Sequence, residues 1–187
     1  MDDYEHLLEA AKREPANADF LALRLAYTRS AHFNPYMNSI HTPGNLRGAM
    51  HQDNQEKIGA AIQRVLHDDY LDIETHIIAH NFYRLNGKSV KADYHARFAV
   101  GLLQSIMSSD GRTYETAFNV LSIREEYAVM GYLGLPVHMQ RKASYNGGDF
   151  DILTTQHPST GEDLDLYFNI DLMRTYFQRS PESAPLI

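Results

Sequence analysis

The sequence predicts an α+β protein, with helices in the first part of its 187 residues and a small sheet in the second. Before residue 112, apolar residues recur at helical spacing, as in the i, i+4 series that starts at Tyr94. Later they alternate with polar residues, as in 164–171, which is typical of strands that bury one face. We therefore expect a helical lobe (1–111), a β lobe (112–178) and a loose tail (179–187). The lobes form a single domain, 1–187, with one shared core, because no linker separates them.

Two short helices are predicted at the start of the chain. The first carries Tyr4 on its apolar face and must end before Pro15, because proline disfavours helical geometry in the residue that precedes it. Asn17 or Asp19 can cap the second helix through a side-chain oxygen. Residues 31–50 contain turn chemistry, and a loop of this length is usually functional or mobile.

Three further helices follow, and the last two are predicted to form a hairpin. Asn86-Gly87 separates them, since Gly readily adopts the left-handed conformation that ends a helix. Ala79, Ala92 and Ala99 lie at the spacing of a tetratricopeptide repeat, where small residues let two helices touch. No second copy is visible, and a solenoid needs about three repeats. The sequence thus predicts an N-terminal helical bundle with one tetratricopeptide-like hairpin.

The second half is predicted to be a small β-α-β-β-β, mostly antiparallel sheet. A strand at 116–121 precedes Ser122 and Glu125, which fit the capping box at a helix start. Gly134 ends that helix. Strands at 137–145, 150–156 and 164–171 are then joined by turns at 146–148 and 157–161, with a short helix at 172–177.

Three short motifs lie along the chain: Asp19-Phe20-x-x-Leu23-Arg24-x-x-Tyr27, Glu125-Glu126-Tyr127 before Leu133-Gly134-Leu135, and Tyr167-Phe168-Asn169-Ile170-Asp171. They resemble a bacterial domain-of-unknown-function family (DUF4919) with a helical first half and a small β second half. The resemblance covers nearly the whole chain and implies this fold, but no activity. Members of that family often carry an export or lipoprotein leader.

Composition narrows the partners and the compartment. The chain has 17 Lys+Arg against 24 Asp+Glu, a net charge of -7, which disfavours binding to a nucleic-acid backbone. It has no Cys and no apolar stretch of membrane-spanning length, and its first residues lack the basic and apolar regions of a leader pattern. We expect a cytoplasmic protein, with export as the alternative if a leader has been removed. The expected partner is another protein, for which the negative charge favours a basic surface.

Acidic pairs in the β lobe are the first candidate site. Asp149 and Asp151 are predicted to share a strand face, as are Asp163 and Asp165. Together with Tyr36 in the long loop, they are our candidate partner-binding residues. Solvated strand edges carry the same pattern, since charges there block edge-to-edge aggregation.

A histidine cluster is the second candidate. His76 and His80 lie one helical turn apart, and His95 is on the neighbouring helix, a set that could bind zinc, nickel or iron in a metal-dependent hydrolase. Packed histidines explain the spacing equally, with His80 buried and His76 at the surface. We expect no metal site, no cofactor and no catalytic residue, because nucleophile and phosphate-binding motifs are missing.

These observations favour a non-catalytic protein-binding protein over the metal-dependent hydrolase. Twelve Tyr without Trp, several of them in the helical half, are usually explained by core and rim packing, but a tyrosine-rich groove in a tetratricopeptide-like hairpin is also a common way to hold a peptide. Such a protein would use the groove together with an acidic sheet face. Its size and charge suit a bacterial antagonist such as an immunity protein.

Overall fold

The structure, a computed structural model, describes residues 2–36, 46 and 54–179, except for the side chains of residues 177–179. Most of the predicted 31–50 loop and the tail beyond residue 179 lie outside these residues. The described residues form seven helices and one four-stranded sheet, which confirms the α+β class. They divide into two compact units, a helical unit (1–103) and a β unit (104–187). The single shared core remains a prediction.

The helical unit is built from five helices. They are α1 (Asp3–Arg13), α2 (Phe20–Tyr27), α3 (Gln55–Asp68), α4 (Ile73–Leu85) and α5 (Ser89–Ile106), the last of which continues into the β unit. Helix α1 ends two residues before Pro15, as predicted. Of the two candidate caps of α2, Asp19 is the one used: its side chain accepts a hydrogen bond from Ala22 N at 2.9 Å.

Helices α4 and α5 form the predicted antiparallel hairpin. Gly87 has φ +69°, and Lys88 N donates to Tyr83 O at 2.8 Å, so the carbonyls at the end of α4 are satisfied by a left-handed turn. Further along, His80 Nδ1 lies 3.0 Å from Ala92 O. This contact joins the two helices where small residues were expected.

The buried face of α4 differs from the prediction. His76 is fully buried and His80 only half-buried, so the expectation that His80 is the interior histidine is wrong. The buried positions Ile73, His76, Ala79 and Tyr83 are spaced by three or four residues, whereas Leu85 is 81% exposed. Packing against the neighbouring helices thus buries a histidine and leaves a nearby leucine exposed, which hydrophobicity by itself does not indicate.

Close packing of α2 against α5 defines the centre of the helical unit. The Phe20 ring meets the Phe98 ring edge to face, with centroids 5.2 Å apart. The Phe20 ring also lies over Gly101, where a Cβ atom would be 2.1 Å from the nearest ring carbon. Glycine is therefore required at this crossing for steric reasons.

The β unit follows the predicted β-α-β-β-β order. Its elements are β1 (Phe118–Asn119), α6 (Ile123–Tyr132), β2 (Met139–Tyr145), β3 (Gly148–Gln156), β4 (Asp163–Asn169) and α7 (Asp171–Arg179). The strands lie in the order β1-β4-β3-β2, with β1 parallel to β4 and the other pairs antiparallel. Strand β1 is only two residues long, shorter than predicted. The β2–β3 turn has φ +49° at Asn146 and +84° at Gly147, the left-handed pair favoured in tight hairpins.

Strand register assigns the acidic residues to faces of the sheet. Asp151 is opposite Phe168, and Leu153 is opposite Leu166, so Asp151 shares a face with buried apolar side chains. Asp165 is opposite Thr154 and therefore lies on the other face. Among the described residues, no helix has both the length and the hydropathy to cross a membrane.

Candidate functional site

A groove of about 890 Å³ lies in the helical unit. It is lined by residues of α1 and α3 and by Tyr70, Tyr94 and His95, and we call these last three residues the floor of the groove. The volume is in the range of roughly 300–1,000 Å³ that is typical of ligand sites. This groove is therefore large enough to hold a ligand.

Two tyrosines on the groove floor are joined through their hydroxyl groups. Tyr70 and Tyr94 have their hydroxyl oxygens 2.7 Å apart. Burial is the main cause of the raised pKa of both hydroxyls. The pair therefore stays neutral at physiological pH and offers ring faces and one hydrogen-bonding edge.

A pair of buried histidines lies beside the tyrosines. His76 Nδ1 is 2.9 Å from His95 Nδ1, and His76 Nε2 is 2.9 Å from Tyr70 O. The His76 ring stacks on Phe98, with centroids 4.7 Å apart and planes 5° from parallel. Burial lowers the pKa of His76 to about 3 and that of His95 to about 4. Both rings are neutral at pH 7.

Charged side chains flank the floor. On α1, Lys12 Nζ is 3.0 Å from Glu9 Oε1 and 4.5 Å from the centre of the Tyr70 ring, a cation–π arrangement. Helix α3 contributes Arg64, which is exposed and has no hydrogen-bond or ion-pair partner in the described part of the chain. The groove thus has an aromatic floor and at least one cation that is available to a ligand.

The structure brings two of the three candidate metal-binding histidines together. His76 and His95 are in contact, but His80 Nδ1 is directed to Ala92 O and not to the other two rings. Within residues 2–36, 46 and 54–179, no three His, Cys, Asp or Glu side chains are grouped so as to hold a metal ion. The metal-dependent hydrolase with His76, His80 and His95 therefore remains a prediction, and the described residues contain no group of side chains arranged to bind its metal.

The candidate acidic residues do not form one surface. Asp151 is buried on the face of the sheet that carries the buried apolar side chains, and Gln140 Nε2 donates to Asp151 Oδ2 at 3.2 Å. Asp149 shares its strand face, and accepts a hydrogen bond from Ser144 Oγ at 2.6 Å and pairs with Arg174. Strand alternation therefore correctly places the first pair, but only one of its members reaches the surface.

The second acidic pair lies on the opposite face. Asp163 is exposed, whereas Asp165 is half-buried and forms a bidentate pair with Arg141. The hydrogen bonds from Arg141 are the main cause of the lowered pKa of Asp165. Tyr36 is half-buried, donates its backbone N–H to Asn34 Oδ1 at 3.0 Å, and is not among the groove-lining residues. Partner binding by these five residues remains a prediction.

The sequence predicted a tyrosine-rich groove in the helical half, but not which residues line it. His95 was a candidate metal-binding residue, and Tyr70 and Tyr94 lie in the tyrosine-rich helical half. No local sequence pattern indicates that the three residues lie together. The sequence did not indicate that Lys12 and Arg64 line the groove, because exposed basic residues occur on most helices. The buried carboxyl of Glu126 in the β unit was also missed, since its neighbour Asp151 is 25 positions further along the chain.

Comparison with known proteins gives one match. The sequence profile of a family described as a domain of unknown function (DUF4919) matches residues 4–179, nearly the whole chain. No curated protein and no solved structure matches the chain.

Proposed function

Because the chain belongs to the DUF4919 family, whose description names no activity, we propose its function from the groove: it is a non-catalytic protein that binds an extended segment of another protein. The observation that carries this proposal is the groove floor of Tyr70, Tyr94 and His95. Tyrosines supply large contact areas and few rotamers, which makes them frequent energetic centres of protein interfaces.

The titration behaviour of the floor supports binding over catalysis. An efficient general acid or base has a pKa near the working pH. Burial moves the pKa of His95 to about 4 and that of His76 to about 3, and it raises those of Tyr70 and Tyr94. At neutral pH the tyrosine hydroxyls therefore stay protonated and the histidine rings stay neutral. These groups can make hydrogen bonds but are poorly matched to proton transfer.

A peptide-display selection on the full chain tests this proposal. Synthetic copies of the selected peptides are titrated calorimetrically against the wild type, Arg64→Glu and Arg84→Glu. Both arginines are exposed, but only Arg64 lines the groove. We expect Arg64→Glu to change peptide affinity by about tenfold or more, which corresponds to about 1.4 kcal/mol, and Arg84→Glu to leave it unchanged.

Two results would contradict the groove proposal. One is a selection that gives no peptide with measurable affinity. The other is a set of peptides that bind both variants and the wild type equally, because they would then occupy another surface.

A narrower proposal is that the bound protein is a basic antagonist and that this chain acts as its cytoplasmic, immunity-type partner. Its support is the net charge of -7 and the exposed carboxylate of Asp163. A basic protein encoded by a neighbouring gene should then bind the chain, with an association rate that falls as salt increases. Binding that ignores salt would argue against this assignment.

A further inference from the structure

We propose that His95 presents the bare Nε2 nitrogen of a fixed tautomer to the groove, where it accepts a hydrogen bond from an amide N–H of the ligand. This inference rests on the groove being a binding site, as proposed above, and it names the chemical group that the floor recognises. It also makes His95 a residue that determines specificity.

The hydrogen bonds of His76 determine the tautomers of both rings. His76 Nε2 is 2.9 Å from Tyr70 O, and because a carbonyl oxygen can only accept, Nε2 must carry the hydrogen. A neutral imidazole has one N–H, so His76 Nδ1 is an acceptor. The nitrogen 2.9 Å away, His95 Nδ1, must then be the donor. The ring of His95 is also neutral, which leaves its Nε2 without a hydrogen.

The bare His95 Nε2 accepts no hydrogen bond from the described residues. His95 is only 6% exposed, and it lines the groove. In residues 2–36, 46 and 54–179 no group donates a hydrogen bond to its Nε2. The atom is not among the enclosed, unpartnered polar atoms of that part of the chain, so it can accept a hydrogen bond from a ligand that enters the groove and supplies a donor.

The tyrosine pair supplies the complementary group. Tyr70 and Tyr94 have one hydroxyl hydrogen each. One of the two forms their mutual hydrogen bond, and the other has no acceptor in the described residues. The Tyr94 and His95 rings are 5.2 Å apart, centre to centre, and lie at 89° to each other. The floor thus offers one acceptor and one donor, which matches the N–H and C=O that a single residue of an extended segment directs to the same side.

The same arrangement disfavours an acidic group at this position. A carboxylate has only acceptor oxygens and would face the lone pair of His95 Nε2. The neighbouring positive charge of Lys91 and the His80 ring further oppose protonation of His95, which would be needed to attract a carboxylate there. The ligand group is therefore a donor, as in a peptide bond or an Asn or Gln side chain.

The tautomers can be tested without a ligand, by ¹⁵N NMR of the imidazole nitrogens in the full chain at pH 7. Nitrogen shifts distinguish N–H from bare nitrogens, and the His95→Asn variant assigns the signals. We expect His95 to be protonated at Nδ1 and bare at Nε2, with the reverse at His76. A His95 ring protonated at Nε2 would overturn the inference.

Two small probes test the recognised group. N-methylacetamide has an amide N–H, and N,N-dimethylacetamide is nearly the same size but lacks it. We expect the first to shift the His95 Nε2 signal during titration and the second to leave it in place. Equal shifts with both probes, or no shift with either, would overturn the inference.

Variants of His95 extend the test to the selected peptides. His95→Asn keeps an amide N–H near the position of Nδ1, so the bond to His76 can persist, but it has no atom at Nε2. His95→Gln places its amide group near Nε2. We expect His95→Asn to weaken peptide binding about tenfold and His95→Gln to weaken it less. Equal affinities would overturn the inference, whereas a selection without groove-binding peptides would refute the proposed function and leave the NMR tests to decide.

Discussion

The carboxyl groups of Glu126 on helix α6 and Asp151 on strand β3 are buried close enough to interact, inside the β unit. The two residues are 0% and 1% exposed. Within the described residues, no hydrogen-bond partner is found for either Glu126 oxygen or for Asp151 Oδ1, so two negative charges here would repel each other without compensation. Burial, followed by the negative charge of Asp151, raises the pKa of Glu126 to about 9, although Lys142 opposes the shift.

Replacement of Glu126 by Gln should change how stability depends on pH. A carboxyl whose pKa rises from the ordinary 4.5 to about 9 on folding binds its proton more tightly in the folded chain. Its contribution to stability is complete below about pH 4.5 and is lost as the pH rises towards 9. We expect the free energy of unfolding of Glu126→Gln, relative to wild type, to increase by several kcal/mol, up to about 5, between pH 5 and pH 9.

Urea denaturation at pH 5, 7 and 9 measures this difference. Glu162→Gln is the control, because Glu162 is exposed and its replacement should leave the pH dependence unchanged. Comparison with wild type at each pH removes the opposite trend from His76 and His95, whose lowered pKa values add stability as pH rises. A constant difference across this range would show that Glu126 is not protonated in the folded chain.

Gly101→Ala should destabilise the helical unit. The added Cβ would be 2.1 Å from the Phe20 ring, which is itself buried and packs edge to face on Phe98. We expect a loss of about 1–3 kcal/mol in the free energy of unfolding, as for other overpacked sites. Chemical denaturation at constant pH provides the measurement.

Gly59→Ala is the matched control for that substitution. It is also a helical glycine, but its added Cβ would be 3.7 Å from the nearest atom, in the Phe82 ring. Alanine in a helix interior is favoured over glycine by roughly 0.5–1 kcal/mol, so this variant should be as stable as wild type or more so. Equal effects of the two substitutions would mean that Phe20 does not cover Gly101.

Elemental analysis of protein purified without an affinity tag should find no stoichiometric transition metal. Both nitrogens of His76 are engaged, with Tyr70 O and His95, and His80 Nδ1 faces Ala92 O. A metal content near one per chain that falls in His80→Ala, but not in His6→Ala at an exposed position, would instead support the hydrolase.

Calorimetry should give one unfolding transition for the whole chain. The sequence predicts a single domain with a shared core, and the boundary between the two units falls inside helix α5, not in a linker. Two well-separated transitions, or a β unit that folds when expressed alone, would contradict this prediction.

Local chemistry was sufficient to predict much of the secondary structure. Pro15 limits α1, Gly87 ends α4, and Asn146-Gly147 forms the β2–β3 turn, because each depends on backbone preferences within a few residues. Alternation likewise identified β4, although its ends moved by one or two residues. These features could be read from the sequence because their causes are adjacent in it.

The interior partners were decided only by the tertiary structure. Adjacent helical residues such as Glu125 and Glu126 point in different directions, but nothing near Glu126 in the sequence indicates that the fold buries it beside Asp151. In the same way, His76 is buried because α4 turns that face towards Phe98 and His95, 19 or more positions away along the chain. Burial and pKa depend on which distant side chains pack together, and the free energy of that packing is a property of the assembled elements, not of any one segment.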